Sequence, residues 1–319
     1  MFDETLEYLG RHCDVDSNQQ DVALSNDEMR SRAADKDGIV CSLTDRIDAQ
    51  LIGACAKLKV VANIAVGYNN IDVAACTARG VMVTNTPGVL DDSTADLAWT
   101  LMLGAARRIT EVERRVRNAE WTGWRLKQWL GTDVHHATLG IVGMGRIGQA
   151  IARRAAGFDM RVLYHNRSRL AEDIEQRLGA TWMNLDELLR QSDFVVLQVP
   201  YTPDTHHLIG AAELAKMKPT AILINSTRGG VVDDVALVEA LKSNAIRAAG
   251  LDVFENEPRL HPGFLELDNV VLAPHVGSST EATRRAMAMT AARNAVAALT
   301  GATPPNLLNA DARQANARQ

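Results

Sequence analysis

Short apolar runs rich in β-branched residues recur along the chain, and segments with helical spacing separate them. The runs at 38–41, 60–64, 139–142, 161–164, 194–198, 221–224, 248–251 and 270–272 predict strands. They are apolar throughout rather than alternating, so both faces of each strand should be covered. That pattern predicts an α/β protein of parallel, doubly wound sheets. The longest helical pattern starts at Asp91 and runs to about Asn118. Ser93 followed by Asp96 approximates a capping box there, and the side bearing Leu97, Thr100, Leu101, Leu103 and Gly104 would pack against another domain. A second long helix is expected over about 280–299. After the first, "WTGWRLKQWLGTD" has no clear period and reads as a loop.

With 319 residues, 46% of them hydrophobic, two domains are expected rather than one. A net charge of −5 gives no general attraction to nucleic acid or an anionic membrane. No apolar run reaches membrane-spanning length, and Met1-Phe2-Asp3-Glu4 carries no apolar leader, so a cytoplasmic protein is expected. Cys13, Cys41, Cys55 and Cys76 lie far apart and read as ordinary thiols of a reducing compartment. The pairs His135-His136 and His206-His207 invite a metal reading. Neighbouring side chains point apart on a helix or a strand, and no acid pattern accompanies them, so no metal site is expected. Arg107-Arg108, Arg114-Arg115 and Arg153-Arg154 read as solvated helix faces.

Any basic site must therefore be local. "TLGIVGMGRIGQAIARR" places Gly143, Gly145 and Gly148 between a strand and a helix, with Arg146 and Ile147 opening that helix. Glycines at this spacing permit a tight turn, close approach of backbone to a pyrophosphate, and close helix–strand packing. The helix N-terminus offers free N–H groups to the phosphates. A second strand follows at 161–164 and ends on His165-Asn166-Arg167-Ser168. An acid there would bind both ribose hydroxyls of NAD and repel a 2′-phosphate. Instead Arg167 can pair with a phosphate dianion, and Asn166 and Ser168 can hydrogen-bond it, which favours NADP over NAD. Arg169 either assists or is only solvated.

Further along, Arg228 follows one predicted strand, Asp252 and Glu257 the next, and His275 a third. Residues just beyond the carboxyl ends of strands face the ligand crevice of an open α/β sheet. Arg228 offers a planar fork for a carboxylate, and His275 an imidazole able to give or take a proton. Glu257 would hold the imidazole and favour its charged form.

The segments "VGYNNIDVAA", "TADLAWTLMLGAARR", "TLGIVGMGRIGQAIARR", "INSTRGGVVD", "AAGLDVFENEP" and "PHVGSST" resemble successive signatures of the D-isomer-specific 2-hydroxyacid dehydrogenases. The resemblance covers residues 38–302 and is nearest the bacterial glyoxylate/hydroxypyruvate and 2-ketogluconate reductases, which favour NADPH. It implies a Rossmann cofactor domain inserted into a smaller flavodoxin-like substrate domain: 1–95 and 283–319 for substrate, 96–282 for dinucleotide. It implies that Arg228 binds the substrate carboxylate and keto oxygen, that His275 is the proton donor and Glu257 its partner. Val66 and Gly67 match the substrate loop. Asp252, Thr94, Pro200, Ser226 and Gly277 would lie along the cofactor.

The resemblance further implies cleft closure about two crossing helices, and a homodimer formed through the cofactor domain. Trp121, Trp124 and Trp129 would either reach the neighbouring subunit or pack locally. Members usually begin with an apolar strand, whereas this chain begins almost inside the following helix, so the small sheet should lack its first strand. The function implied is NADPH-dependent reduction of small 2-keto acids. A phosphoglycerate dehydrogenase is the rival enzyme, and a nucleotide-sensing corepressor-like protein the rival of another class.

Overall fold

The computed structural model describes residues 1–20 and 22–312. The chain divides into two compact units, Met1–Leu90 with Ser279–Gln319, and Asp91–Ser278.

The smaller unit contains α1 (Asp3–Gly10), α2 (Asn26–Ala33), β1 (Gly38–Cys41), α3 (Ala49–Ala54), β2 (Val60–Asn63), α4 (Val73–Ala78) and β3 (Met82–Thr84). Its three strands are parallel in the order β1-β2-β3. Asp48 and Asp72 start α3 and α4 by accepting from the backbone N–H of Leu51 and Ala75, at 3.0 and 2.8 Å. Every residue of β2 is buried. Val61 and Val83 pack with Leu51, Ile52 and Cys76 on one side. On the other, Ala62 meets Ala291 and Ala295 of the C-terminal helix.

The larger unit opens with α5 (Asp91–Ala106) and α6 (Ile109–Arg117), followed by β4 (Thr138–Val142), α7 (Arg146–Ala155), β5 (Arg161–His165), α8 (Glu172–Leu178) and β6 (Ala180–Trp182). Then come α9 (Leu185–Gln191), β7 (Phe194–Leu197), α10 (Ala211–Leu214), β8 (Ile222–Asn225), α11 (Asp234–Lys242), β9 (Ala248–Leu251) and β10 (Val270–Leu272); α12 (Glu281–Leu299) returns to the smaller unit. All seven strands are parallel, in the order β10-β9-β8-β7-β4-β5-β6. The chain starts in the middle, runs outward through β5 and β6, then restarts beside β4 with β7. This reversal opens a crevice at the carboxyl ends of β4 and β7. One face is covered by α5 and α7 through Leu101, Met102 and Ile151, the other by α9 and α11 through Leu188, Leu237 and Leu241.

Several expectations need correction. The pattern from Asp91 is two helices, because Arg108 adopts a left-handed conformation (φ 56°) between them. Its guanidinium grips Glu111, which is only 3% exposed, at 2.7 and 2.9 Å, and Arg115 grips the same carboxylate at 3.2 Å. Burial alone would raise the Glu111 carboxyl, but the two arginines hold it below its ordinary range. Arg154 likewise bonds Asp96 at 2.8 Å, Arg153 lies 3.4 Å from Asp92, and Arg114 pairs with Asp268. Arg108, Arg114, Arg115, Arg153 and Arg154 are thus ion-paired, with Arg114 and Arg153 still largely solvent-exposed, and Arg107 is exposed as expected.

Ser93 lies inside α5 and is not its cap. The Leu101 and Gly104 side of α5 faces the large sheet of its own unit: a Cβ on Gly250 would come within 2.9 Å of Leu101, and one on Gly104 within 3.7 Å of Val271. Strands β3 and β6, three residues each, went unpredicted.

Candidate active site

The glycine turn follows β4. Gly143 has φ 104°, and a Cβ there would lie 2.5 Å from the Gln198 backbone, so only glycine fits. A Cβ on Gly148 would lie 2.3 Å from the Gly143 carbonyl oxygen, which lets α7 press against the turn. Gly145 is the N-cap of α7, makes no side-chain cap, and has open space where a Cβ would stand. Arg146, Ile147 and Gly148 thus begin a ten-residue helix whose first N–H groups have no intrahelical acceptor. An open glycine before an uncapped helix end fits a pyrophosphate.

The stretch after β5 is less uniform than its composition suggests. The Asn166 side-chain oxygen accepts from the Met144 N–H at 2.7 Å, and its backbone carbonyl from the Trp182 indole at 3.1 Å. Asn166 therefore braces the glycine turn. Arg169 is exposed but not free: it bonds Glu175 at 2.9 and 2.7 Å, and Tyr164 donates to the same carboxylate at 2.6 Å. These two partners, Arg169 foremost, hold the Glu175 carboxyl at about 2. Arg167 and Ser168 are exposed.

At the ends of β8, β9 and β10 the remaining groups converge. The His275 Nδ1 and Glu257 Oε2 atoms are 2.7 Å apart, with the side chains 28% and 33% exposed. Burial pushes the Glu257 carboxyl up, but the His275 hydrogen bond and charge, the Phe254 N–H (3.0 Å) and Arg228 together leave it below its ordinary value. Arg228 is half-buried and donates to the Thr227 carbonyl at 2.7 Å; burial lowers its pKa, opposed by Glu257. Arg228 and Glu257 line a cavity of about 410 Å³ with Gly229, Phe254, Glu255, Asn256 and Arg259.

Asp252 is 1% exposed and clamps the turn that carries the histidine. Its carboxylate accepts from the N–H groups of Val276 (2.7 Å) and Gly277 (2.9 Å), and its carbonyl from His275 (2.9 Å). Burial raises the Asp252 carboxyl, and Glu257 adds to that, against the two N–H bonds and His275. His275 itself is held at φ 55°. A Cβ on Gly277 would meet Thr94 at 3.4 Å, so these two residues are neighbours. Ser226 accepts from the Gln198 amide at 2.7 Å, and Pro200 is exposed.

Val66 and Gly67 lie in the smaller unit. Their carbonyls accept from the side-chain amides of Asn85 and Asn63, both at 2.9 Å. Sequence reasoning missed both asparagines; an isolated Asn after an apolar strand carries no signal until its partner is known.

The histidine pairs overturn the stereochemical premise applied to them. His136 and His207 have φ 61° and 51°, neither helical nor extended. Their rings accordingly meet the preceding histidine: His135 and His136 edge to face at 4.9 Å, His206 and His207 stacked at 3.9 Å. An acid is present as well, since the His207 Nε2 and Glu255 Oε1 atoms are 3.1 Å apart.

A parallel sheet whose strand order reverses beside a glycine turn, with charged groups beyond its carboxyl ends, has the architecture of a dinucleotide-binding domain. Residues 99–277 match the D-isomer specific 2-hydroxyacid dehydrogenase, NAD binding domain. The chain belongs to the D-isomer specific 2-hydroxyacid dehydrogenase family. It is 50% identical over 308 residues to a glyoxylate reductase of Thermococcus onnurineus (strain NA1), covering 95% of this chain and 92% of that protein.

Among solved structures, a protein of Thermus thermophilus is similar with a TM-score of 0.90 and 41% identity, over 96% of both chains. An NADPH-dependent glyoxylate/hydroxypyruvate reductase of Sinorhizobium meliloti, in complex with NADP and malonate, is similar with a TM-score of 0.80 and 35% identity, over 89% of this chain and 86% of that one. No helix among the described residues is long and apolar enough to cross a membrane.

Proposed function

We propose that this protein reduces small 2-keto acids, with glyoxylate, hydroxypyruvate and 2-ketogluconate as candidates, to D-2-hydroxy acids, and prefers NADPH. The carrying observation is the 2.7 Å contact of His275 Nδ1 with Glu257 beside the half-buried Arg228. With Nδ1 committed to Glu257, Nε2 is the ring nitrogen left to meet substrate. His275 gives a proton from Nε2 to the keto oxygen, while ionised Glu257 balances the imidazolium. Arg228 presents its planar fork to the substrate carboxylate and stabilises the developing alkoxide. A bound reduced nicotinamide supplies the hydride.

The N–H groups at Gly145, Arg146, Ile147 and Gly148 would hold the cofactor's pyrophosphate, and Arg167 and Ser168 its 2′-phosphate. Thr94, Pro200, Ser226, Asp252 and Gly277 line the rest of the cofactor's path. In the smaller unit, which serves substrate, tying back the Val66 and Gly67 carbonyls leaves that loop's N–H groups to receive a carboxylate. The protein works as a homodimer through the larger unit, whose exposed Trp121, Trp124, Leu126 and Leu130 suit an interface.

The NADPH preference is supported by the free, exposed Arg167-Ser168 pair and by the cofactor named for the Sinorhizobium meliloti reductase. A steady-state panel crossing NADH and NADPH with the three keto acids tests this reading. Turnover of at least one acid, faster with NADPH, is expected. Absence of turnover with all three overturns the enzyme assignment, and NADH preferred throughout overturns the cofactor assignment.

A further inference from the structure

Three groups near the candidate active site take no part in the chemistry above: His206, His207 and Glu255. We propose that they form a binding site for a divalent transition-metal ion of the Zn²⁺ type.

The backbone makes the site possible. The left-handed turn at His207 brings two consecutive imidazoles side by side, stacked at 3.9 Å with planes 25° apart, so that rotation of one ring about its side-chain bonds would turn a nitrogen of each toward a common ion. Glu255, from the segment after β9, brings a carboxylate oxygen to His207. One donor atom from each of the three residues lies within 4.8 Å of the other two, so small side-chain rotations would draw all three onto a single ion.

Outer contacts already select the ring nitrogens. The His206 Nδ1 and Tyr201 hydroxyl are 3.2 Å apart, leaving Nε2 of that ring for an ion. The His207 Nδ1 lies 3.9 Å from an Asp233 carboxylate oxygen, and its Nε2 faces Glu255. Metal-bound histidines usually have their second nitrogen held by a carboxylate or another polar group, and that support orients the ring and raises its basicity. Two imidazoles and one carboxylate select Zn²⁺, Co²⁺ or Ni²⁺ over Mg²⁺ and Ca²⁺, which demand oxygen. Three protein ligands leave a coordination position for water or an anion. Glu255 also lines the cavity that holds Arg228 and Glu257, so the ion would sit at that cavity's wall and not within the His275–Glu257 pair.

The test uses the full-length protein, stripped with a chelator and titrated with ZnCl₂ by calorimetry, with MgCl₂ as the comparison ion. It needs no turnover, so its outcome is independent of the reductase assignment. Saturable Zn²⁺ binding without a Mg²⁺ response is expected. Each of His206→Ala, His207→Ala and Glu255→Gln should weaken it at least about tenfold, the lower limit seen when even outer-shell partners are lost. His135→Ala, in the other histidine pair, should leave it unchanged. His206 is exposed, so its substitution is the one least able to disturb folding. No Zn²⁺ binding by the parent protein, binding that survives all three substitutions, or binding abolished by His135→Ala would each overturn the proposal.

Discussion

The two ends of the crevice in the larger unit are built differently. At the β8–β10 end, the histidine is fixed by a carboxylate on its ring, a backbone bond from its own N–H, and a buried Asp252 that pins the next two residues. At the β5 end, Asn166 and Arg169 are tied into the scaffold while the two residues between them, Arg167 and Ser168, extend into solvent. The proton transfer proposed for His275 would need a group placed to a few tenths of an ångström, and the hydrogen bonds around His275 supply that restraint. The 2′-phosphate recognition proposed for Arg167 and Ser168 would tolerate flexible, hydrated side chains held between rigid posts.

If that contrast holds, substitutions at the two ends should fail in different ways. His275→Ala should lower kcat by about 10²–10⁴-fold and leave NADPH affinity within a few fold; steady-state kinetics with a cofactor titration checks both. An unchanged kcat would remove His275 from the chemistry. Arg167→Ala combined with Ser168→Asp should weaken NADPH by about ten- to a hundredfold relative to NADH, the scale of a lost hydrogen bond to a charged group. A double variant that still prefers NADPH would make the stretch an ordinary loop.

Asp252→Ala should lower stability by about 1–3 kcal/mol, because two N–H groups lose their buried acceptor. Denaturant melts would show this, and kcat should fall with it, whereas the Arg167 variant should melt like the parent.

The smallest effect concerns the post itself. Glu175 is held at about 2 in the fold against an ordinary 4.5, so its ionised form contributes stability above pH 4.5. That contribution drains away as pH falls toward 2. Glu175→Gln should therefore be less stable than the parent at neutral pH, and the gap should close on acidification. A gap independent of pH would mean that Arg169 and Tyr164 do not act through the carboxylate's charge.

Much of this was legible in the chain. Strands such as Phe194–Leu197 announce themselves because both faces are buried, and the glycines at 143 and 148 because nothing larger fits. Less legible was whatever depends on one left-handed residue that is not glycine. Arg108 breaks a helix and His207 turns one ring onto another, yet neither residue type advertises such a conformation. The arginine pairs misled for a related reason: a buried acid such as Glu111 cannot be told from a surface one until packing is known. Length alone does not decide this: Val270–Leu272, a run of three apolar residues, was legible, whereas the equally short Met82–Thr84 and Ala180–Trp182 each include a threonine that breaks the apolar run.

Asn166 links the two jobs of the crevice's outer end, since the side chain that stands beside Arg167 also secures Met144 in the glycine turn. Change at position 166 would loosen the glycine turn and the proposed 2′-phosphate site together. Change at 167 and 168 touches neither the turn nor the Glu175 anchor. A lineage could thus exchange one nicotinamide cofactor for another through two solvent-facing codons, without passing through a poorly folded intermediate.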